Sequence, residues 1–399
     1  MSLFHGRLAA IALCLMALGA HADTVADWAD MTIDIATDGP NTIRTMALAQ
    51  QAVYEAVNAI SGQFPRDRVD FGPASGASVD AAIAAASRTV LLHEAPALGA
   101  RIETVYGTVL GVIDANDARS RGIAVGERAA ADVLAKHAHD VGDIEPYRPL
   151  TTPGVFVPTT LPLGVAVWQY RPWFMTSAAQ FRPGPPPDLK SAAWARDYNE
   201  TKSLGALAST ARTPQQTEIA RFWATALPDV YSGILRSVDT APGREVTRNA
   251  RFYAALTAAL NEAEIAVFEA KYHYQFWRPI TAIRNGDRDG NPATERDAGW
   301  SPMIVTPIQP EYPCGHCILS STVATVIRLE VGSAAMPTLR ATSNTAPGVT
   351  REWTRPEDMA REVSEARIYD GVHFRSSAEA GKKMGEQIGA LVANAYHIP

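Results

Sequence analysis

The chain runs to 399 residues, 47% of them hydrophobic and 20% charged, with a formal net charge of −6. That length and apolar content sustain a sizeable core in one large domain or two. The mildly acidic balance, without any basic stripe, removes nucleic acid from the candidate partners.

The first residues, MSLFHGRLAAIALCLMALGAHADT, carry one arginine, an apolar run from Leu8 to Leu18, and small residues at Ala20 and Ala22. This pattern predicts a secretory leader over residues 1–22, cleaved after Ala22, and hence a periplasmic or secreted protein. The run is shorter than the ~20 residues of a membrane span, and no later stretch compensates, so no stable membrane insertion is expected.

Residues 23–146 read as an N-terminal helical region. Ile43, Met46, Ala47, Val53, Ala56 and Val57 recur at helical intervals between Asn41 and Ile60, and Val79, Ile83 and Val90 line a second helix ending near Leu92. Residues 147–190 form a proline-rich crossing segment with FRPGPPP at 181–187, either linker or wall of a site. Residues 191–399 read as a C-terminal helical bundle that makes one compact unit with the rest. Thr213, Pro214 and Gln216 predict a capping box opening one helix, and a long helix is expected from Val246 to Trp277, ended by Pro279. Met384, Ile388, Leu391 and Val392 set the face of a last helix. With few alternating runs of strand type, the expected class is all-α.

Three segments concentrate polar residues. In KYHYQFWRP, Lys271 and Arg278 are seven apart, which on one helix points both the same way. In YPCGHC, Gly315 permits close backbone approach and the amides around His316 open a helix. In ARIYDGVHFR, Arg367 and His373 are six apart. Three cations, two histidines and a glycine-containing helix entry suit a tetrahedral or trigonal bipyramidal oxyanion. The CGHC tetrapeptide could also be a thiol–disulfide motif, but prolines 307, 310 and 313 argue against the strand that usually leads into one.

These motifs resemble those of the vanadium-dependent haloperoxidases and the acid phosphatases of the type 2 phosphatidic acid phosphatase superfamily. Their signature is Lys, six residues, Arg-Pro; then Pro-Ser-Gly-His; then Ser-Arg, five residues, His, three residues, Asp. The chain matches at Lys271, Arg278 and Pro279, at Pro313, Gly315 and His316, and at Arg367 and His373, in order and with the same spacings. The text around them, including NGDRDGNPATE and EYPCGH, is similar to the exported bacterial haloperoxidase-like branch. The resemblance implies an all-α fold of helical bundles of the vanadium chloroperoxidase and acid phosphatase type. It implies vanadate as cofactor, with His373 as the metal ligand. Lys271, Arg278, Cys314, Gly315 and Arg367 would lie around the oxygens, and His316 would act as acid–base. Hydrogen peroxide and a halide or small organic substrate would be the partners. The alternatives are an exported acid phosphatase working through a phosphohistidine, or a catalytically impaired oxyanion-binding homologue.

The chain departs from the signature where Cys314 replaces serine, Ala366 replaces serine, and Ser377 stands in place of the last aspartate. Loss of that carboxylate favours oxyanion binding over phosphoester turnover, unless Glu379 substitutes. After export only Cys314 and Cys317 remain. Their i, i+3 spacing allows a bridge within the chain, or they could pair between chains, and either would make the loop redox-dependent. Gln309 sits where the resembled family carries an aromatic or a histidine near the halide, and Trp277 reads as packing, although in that family an aromatic there borders the anion.

Other readings compete at three places. Asp287–Glu295 has its glycine and glutamate too early for a calcium loop. His137 and His139 of HAHD, two apart, would point apart on a helix, which suggests a solvated helix end. Cys314, His316 and Cys317 could hold zinc or copper only with a fourth ligand from elsewhere.

Overall fold

A computed structural model describes residues 24–37, 41–65, 74–141, 147–150, 152–158, 160–225 and 229–399. The expected leader, residues 1–22, lies outside the described residues.

Thirteen α-helices are described: α1 Thr24–Ala36, α2 Thr42–Ser61, α3 Val79–Glu94, α4 Gly99–Gly111, α5 Asp117–His137, α6 Ala192–Leu204, α7 Pro214–Phe222, α8 Asp229–Asp239, α9 Val246–Tyr274, α10 Pro279–Arg284, α11 Gly315–Val331, α12 Pro356–Tyr369 and α13 Arg375–Ala395. Their starts follow side-chain chemistry. Ser78, Asn116 and Ser191 each accept the backbone N–H three residues on. Thr213 and Gln216 complete the predicted capping box in both directions, at 3.2 and 2.9 Å. Gly62 closes α2 in the left-handed region at φ 61°.

The 29-residue α9 is the axis of the molecule. One side of it packs on α2, which packs in turn on α3 and α5, while the other side meets α11 and α13. A single apolar cluster therefore runs from Val25 in α1 to Ile398 at the C-terminus. The architecture is all-α with one small exception. Antiparallel strands β1 Leu339–Ser343 and β2 Ala346–Trp353 pair from Leu339–Trp353 inward and rest on α8. No strand was expected there, because LRATS and APGVTREW alternate over too few residues to stand out in the sequence. Among the described residues no helix is long and apolar enough to cross a membrane.

Two local expectations need correction. α9 ends at Tyr274, not Trp277, because Gln275 turns left-handed at φ 47°. The His137–Asp140 stretch is only half solvated: Ala138 and His139 are exposed. His137 and Asp140 are buried, with His137 Nδ1 2.7 Å from Asp140 Oδ2, and that carboxylate also takes Arg44 and the Trp173 indole N–H. The i, i+3 pair, which the i, i+2 argument overlooked, ties α5 to α2 and to the crossing segment.

Candidate active site

The end of α9 brings the first cation in. Lys271 is fully buried in its last turn and donates to the carbonyls of Pro310 and Glu311 at 2.7 and 2.9 Å. Burial, then Arg278, holds its ammonium well below the usual lysine range. Arg278 does not share a helix with it, contrary to the face argument from seven-residue spacing. It caps α10, beyond a break that the crossing segment fixes: Phe156 N–H donates to Gln275 O at 2.6 Å and Trp277 N–H to Gly154 O at 3.0 Å. Gly154 and Phe156 of the crossing segment thus pack against this break. The two cations meet because the chain reverses, so the spacing succeeded for the wrong reason.

Arg278 is 2% exposed. Its Nε donates to Gln309 O at 2.8 Å, and its Nη1 lies 2.9 Å from Val372 O and 3.1 Å from His373 Nε2. Burial pulls its pKa down to about 10. Arg367, in the last turn of α12, donates to Trp223 O at 2.9 Å and lies 2.9 Å from Asp370 Oδ2, a close ion pair without hydrogen-bond alignment. His316, the second residue of α11, places Nε2 3.1 Å from Thr225 O. A carbonyl only accepts, so Nε2 carries the proton and Nδ1 the lone pair. Burial, then Arg367, pushes His316 down to about 3, and burial, then Arg278, holds His373 well below the usual histidine range. Lys271, Arg278, His316 and His373 each feel the field of others in the set, Arg367 acting on all four, so the three motifs form one electrostatic unit.

The loop between them starts at a cis Tyr312–Pro313 peptide and enters α11 at Cys314, whose Sγ accepts Cys317 N–H at 3.2 Å. Cys314 and Cys317 are bonded to each other within the chain and are fully buried. That removes both sulfurs from the zinc or copper set. A Cβ on Gly315 would lie 3.9 Å from Lys271 Cε, so the helix entry abuts the lysine side chain. Trp277 is packed against Trp194 at 6.0 Å between ring centroids.

Sequence reasoning missed Glu311. Its Oε1 lies 2.7 Å from His373 Nδ1 and accepts Phe374 N–H at 3.0 Å, and the residue is fully buried. Burial, resisted by Arg278 and Lys271, raises its carboxyl to about 7. The absence of an aspartate at 377 therefore does not leave His373 without a carboxylate, and the ranking built on that absence loses its reason. Ser377 Oγ lies 3.3 Å from the same nitrogen, whereas Glu379 is exposed. The only signal was position: Glu311 stands three residues before Cys314. Asp370, raised to about 6 by burial, was also missed beside Arg367. Asp289 of the calcium-loop stretch is engaged internally by Trp194, Asn291 and Thr294.

Several buried atoms of this cluster have no hydrogen-bond partner among the described residues: Arg278 Nη2, Arg367 Nε, Trp277 Nε1, Gln309 Oε1 and Glu311 Oε2. Leaving such atoms unpaired costs about 1–3 kcal/mol each, more when charged. The two guanidinium N–H groups are donors that only an acceptor can satisfy, so the donor set fits a small oxyanion such as vanadate or phosphate.

Residues 251–398 match the family described as VCPO second helical-bundle domain. Over 189 residues the chain is 26% identical to vanadium chloroperoxidase of Curvularia inaequalis, an alignment that takes in 39% of this chain and spans 30% of that protein's length. The structure of a bacterial vanadium-dependent iodoperoxidase superposes with a TM-score of 0.74 at 21% identity, covering 92% of this chain and 96% of that one. An apo-type bacterial vanadium-dependent chloroperoxidase gives 0.72 at 17% identity, covering 90% and 94%. By sequence, residues 251–398 are similar to the second helical-bundle domain of that family, and over most of its length the chain has the fold of the bacterial vanadium-dependent haloperoxidases.

Proposed function

We propose that the chain binds vanadate between Lys271, Arg278, Arg367, the Gly315 amide, His316 and His373, and oxidises a halide or small organic substrate with hydrogen peroxide. The observation that carries this is the pair of buried, unpartnered guanidinium N–H groups, Arg278 Nη2 and Arg367 Nε, within an electrostatic unit that includes His373. Bound vanadate supplies Lewis-acid activation of the peroxide toward the attacking halide.

The protein residues hold charge and protons around it. His373 offers Nε2 as the ligand atom once Arg278 turns its Nη1 from that nitrogen to an anion oxygen. The two arginines and Lys271, all three buried, neutralise the oxygens, with Arg278 re-aiming the one Nη1 contact it makes to His373. His316 is neutral with its Nε2–H on Thr225 O, and the negative charge of a bound oxyanion offsets the cations that, after burial, hold its pKa at about 3, which raises its Nδ1 toward the range in which it takes a proton. Cys314, bridged to Cys317, has no S–H to donate. A second reading, phosphomonoester hydrolysis through His373, draws support from Glu311, because a carboxylate behind the ring stabilises the imidazolium formed during transfer.

Vanadate titration by equilibrium dialysis, followed by iodide, bromide and phosphoester assays with and without a thiol reductant, tests the proposal. Stoichiometric vanadate binding and peroxide-dependent halide oxidation are expected, both lost in His373→Ala. Binding without turnover would leave an impaired homologue, and phosphoester turnover alone would establish the second reading. Equal affinities with and without reductant would remove any redox dependence of the loop.

A further inference from the structure

We propose that Glu311 is the positioning residue of this site: its carboxylate fixes His373 as the Nδ1–H tautomer, so that Nε2 presents its lone pair to the oxyanion. Two independent contacts, one on each edge of the ring, require this tautomer. On one edge of the ring, Glu311 Oε1 lies 2.7 Å from Nδ1, and the carboxylate is the stronger acceptor available there. On the other edge, Arg278 Nη1 lies 3.1 Å from Nε2. A guanidinium has no lone pair to offer, so that contact is a hydrogen bond only if Nε2 accepts. Both contacts demand the same proton arrangement.

The carboxylate is itself held. Phe374 N–H donates to the same Oε1 at 3.0 Å, so the residue after the histidine anchors the group that orients the histidine. Glu311 also offers its backbone carbonyl to Lys271 at 2.9 Å, which makes one residue the common support of the ligand histidine and the buried lysine. No other carboxylate among the described residues touches His373. Asp370 accepts Val372 N–H at 3.2 Å and faces Arg367, and Glu379 is exposed. Ser377 Oγ, 3.3 Å from Nδ1, is an uncharged second acceptor. A carboxylate behind a ligating imidazole fixes its tautomer and raises its basicity, and removal of such a partner typically weakens the site about 10–100-fold.

The inference rests on the oxyanion reading for its affinity arm only; the tautomer can be read without any ligand. Protein labelled with 15N in its histidines, with His373 assigned by comparison with His373→Asn, should show Nδ1 protonated and Nε2 bare in the wild type. The Nε2–H tautomer in wild-type protein would overturn the proposal whatever the variants do. Glu311→Ala should shift His373 toward the Nε2–H form and weaken vanadate binding at least about tenfold. Glu311→Gln keeps an acceptor oxygen and the volume, and should retain the Nδ1–H signature while losing less affinity. If Glu311→Ala does not fold, the wild-type tautomer and the affinity of Glu311→Gln carry the test. A Glu311 variant that binds vanadate as the wild type does would end the positioning role. Wild-type protein that binds neither vanadate nor inorganic phosphate, yet shows the Nδ1–H form, would instead end the oxyanion reading.

Discussion

Glu264 lies midway along α9 and is perturbed by burial alone, which raises its carboxyl from 4.5 to about 7. The sign follows from linkage: between those values the folded chain keeps the proton that the unfolded chain releases. Stability is therefore fully present below about pH 4.5 and is lost as the pH rises through 7. Glu264→Gln removes the penalty. Because the residue keeps partial exposure, the variant should be more stable than the wild type by roughly 1–3 kcal/mol at pH 8, with the two converging near pH 4. Urea unfolding at both pH values checks this, and an offset independent of pH would contradict it. Glu262, two residues earlier, shows the opposite solution to burial: it is fully buried yet accepts three backbone N–H groups.

At the level of elements, the entry of α11 is placed by α13. Gly381, Gly385 and Gly389 recur every fourth residue on α13 and face α11. A Cβ at Gly381 would come within 2.5 Å of Cys314 O, and one at Gly385 within 2.2 Å of Ile318 O. The helices approach so closely that their backbones touch where no side chain intervenes, and Cys314 N–H reaches Ser377 O at 3.1 Å. Gly385→Ala should therefore cost roughly 3 kcal/mol, at the upper end of overpacking effects, since the contact is with backbone rather than a movable side chain. A shift in the urea midpoint below 1 kcal/mol would mean that α13 can slide without loss.

On the scale of the whole molecule, the crossing segment matters most. It leaves the N-terminal bundle, passes over α9 and pins the 275–277 break from which Arg278 departs. Its anchor is Glu262, which receives Trp173, Phe174 and Met175 N–H at 2.7, 3.3 and 2.8 Å. Glu262→Ala would leave three amide donors without an acceptor, a loss of roughly 3 kcal/mol or more. Limited proteolysis should then cut within residues 160–190, and vanadate binding should weaken although no site residue has changed. Unaltered protease resistance would show that the wall is held by apolar packing instead.

What the sequence by itself determined was local and periodic. The all-α class followed from apolar spacing and the Thr213–Gln216 capping box from four residues, while the order and spacing of three motifs singled out side chains that the fold gathers together. Such features are carried by neighbours along the chain, so no tertiary knowledge was needed. What only the tertiary structure decided depends on how the chain turns and on which segments it brings together. Lys271 and Arg278 meet through the break at Gln275, not along one helix face. Cys314 and Cys317 close on each other. Above all, the carboxylate behind His373 comes from Glu311, 62 residues earlier, and not from position 377. A motif records spacing along one strand of chain, whereas a hydrogen bond requires only that two atoms lie within about 3 Å, whichever part of the chain supplies them.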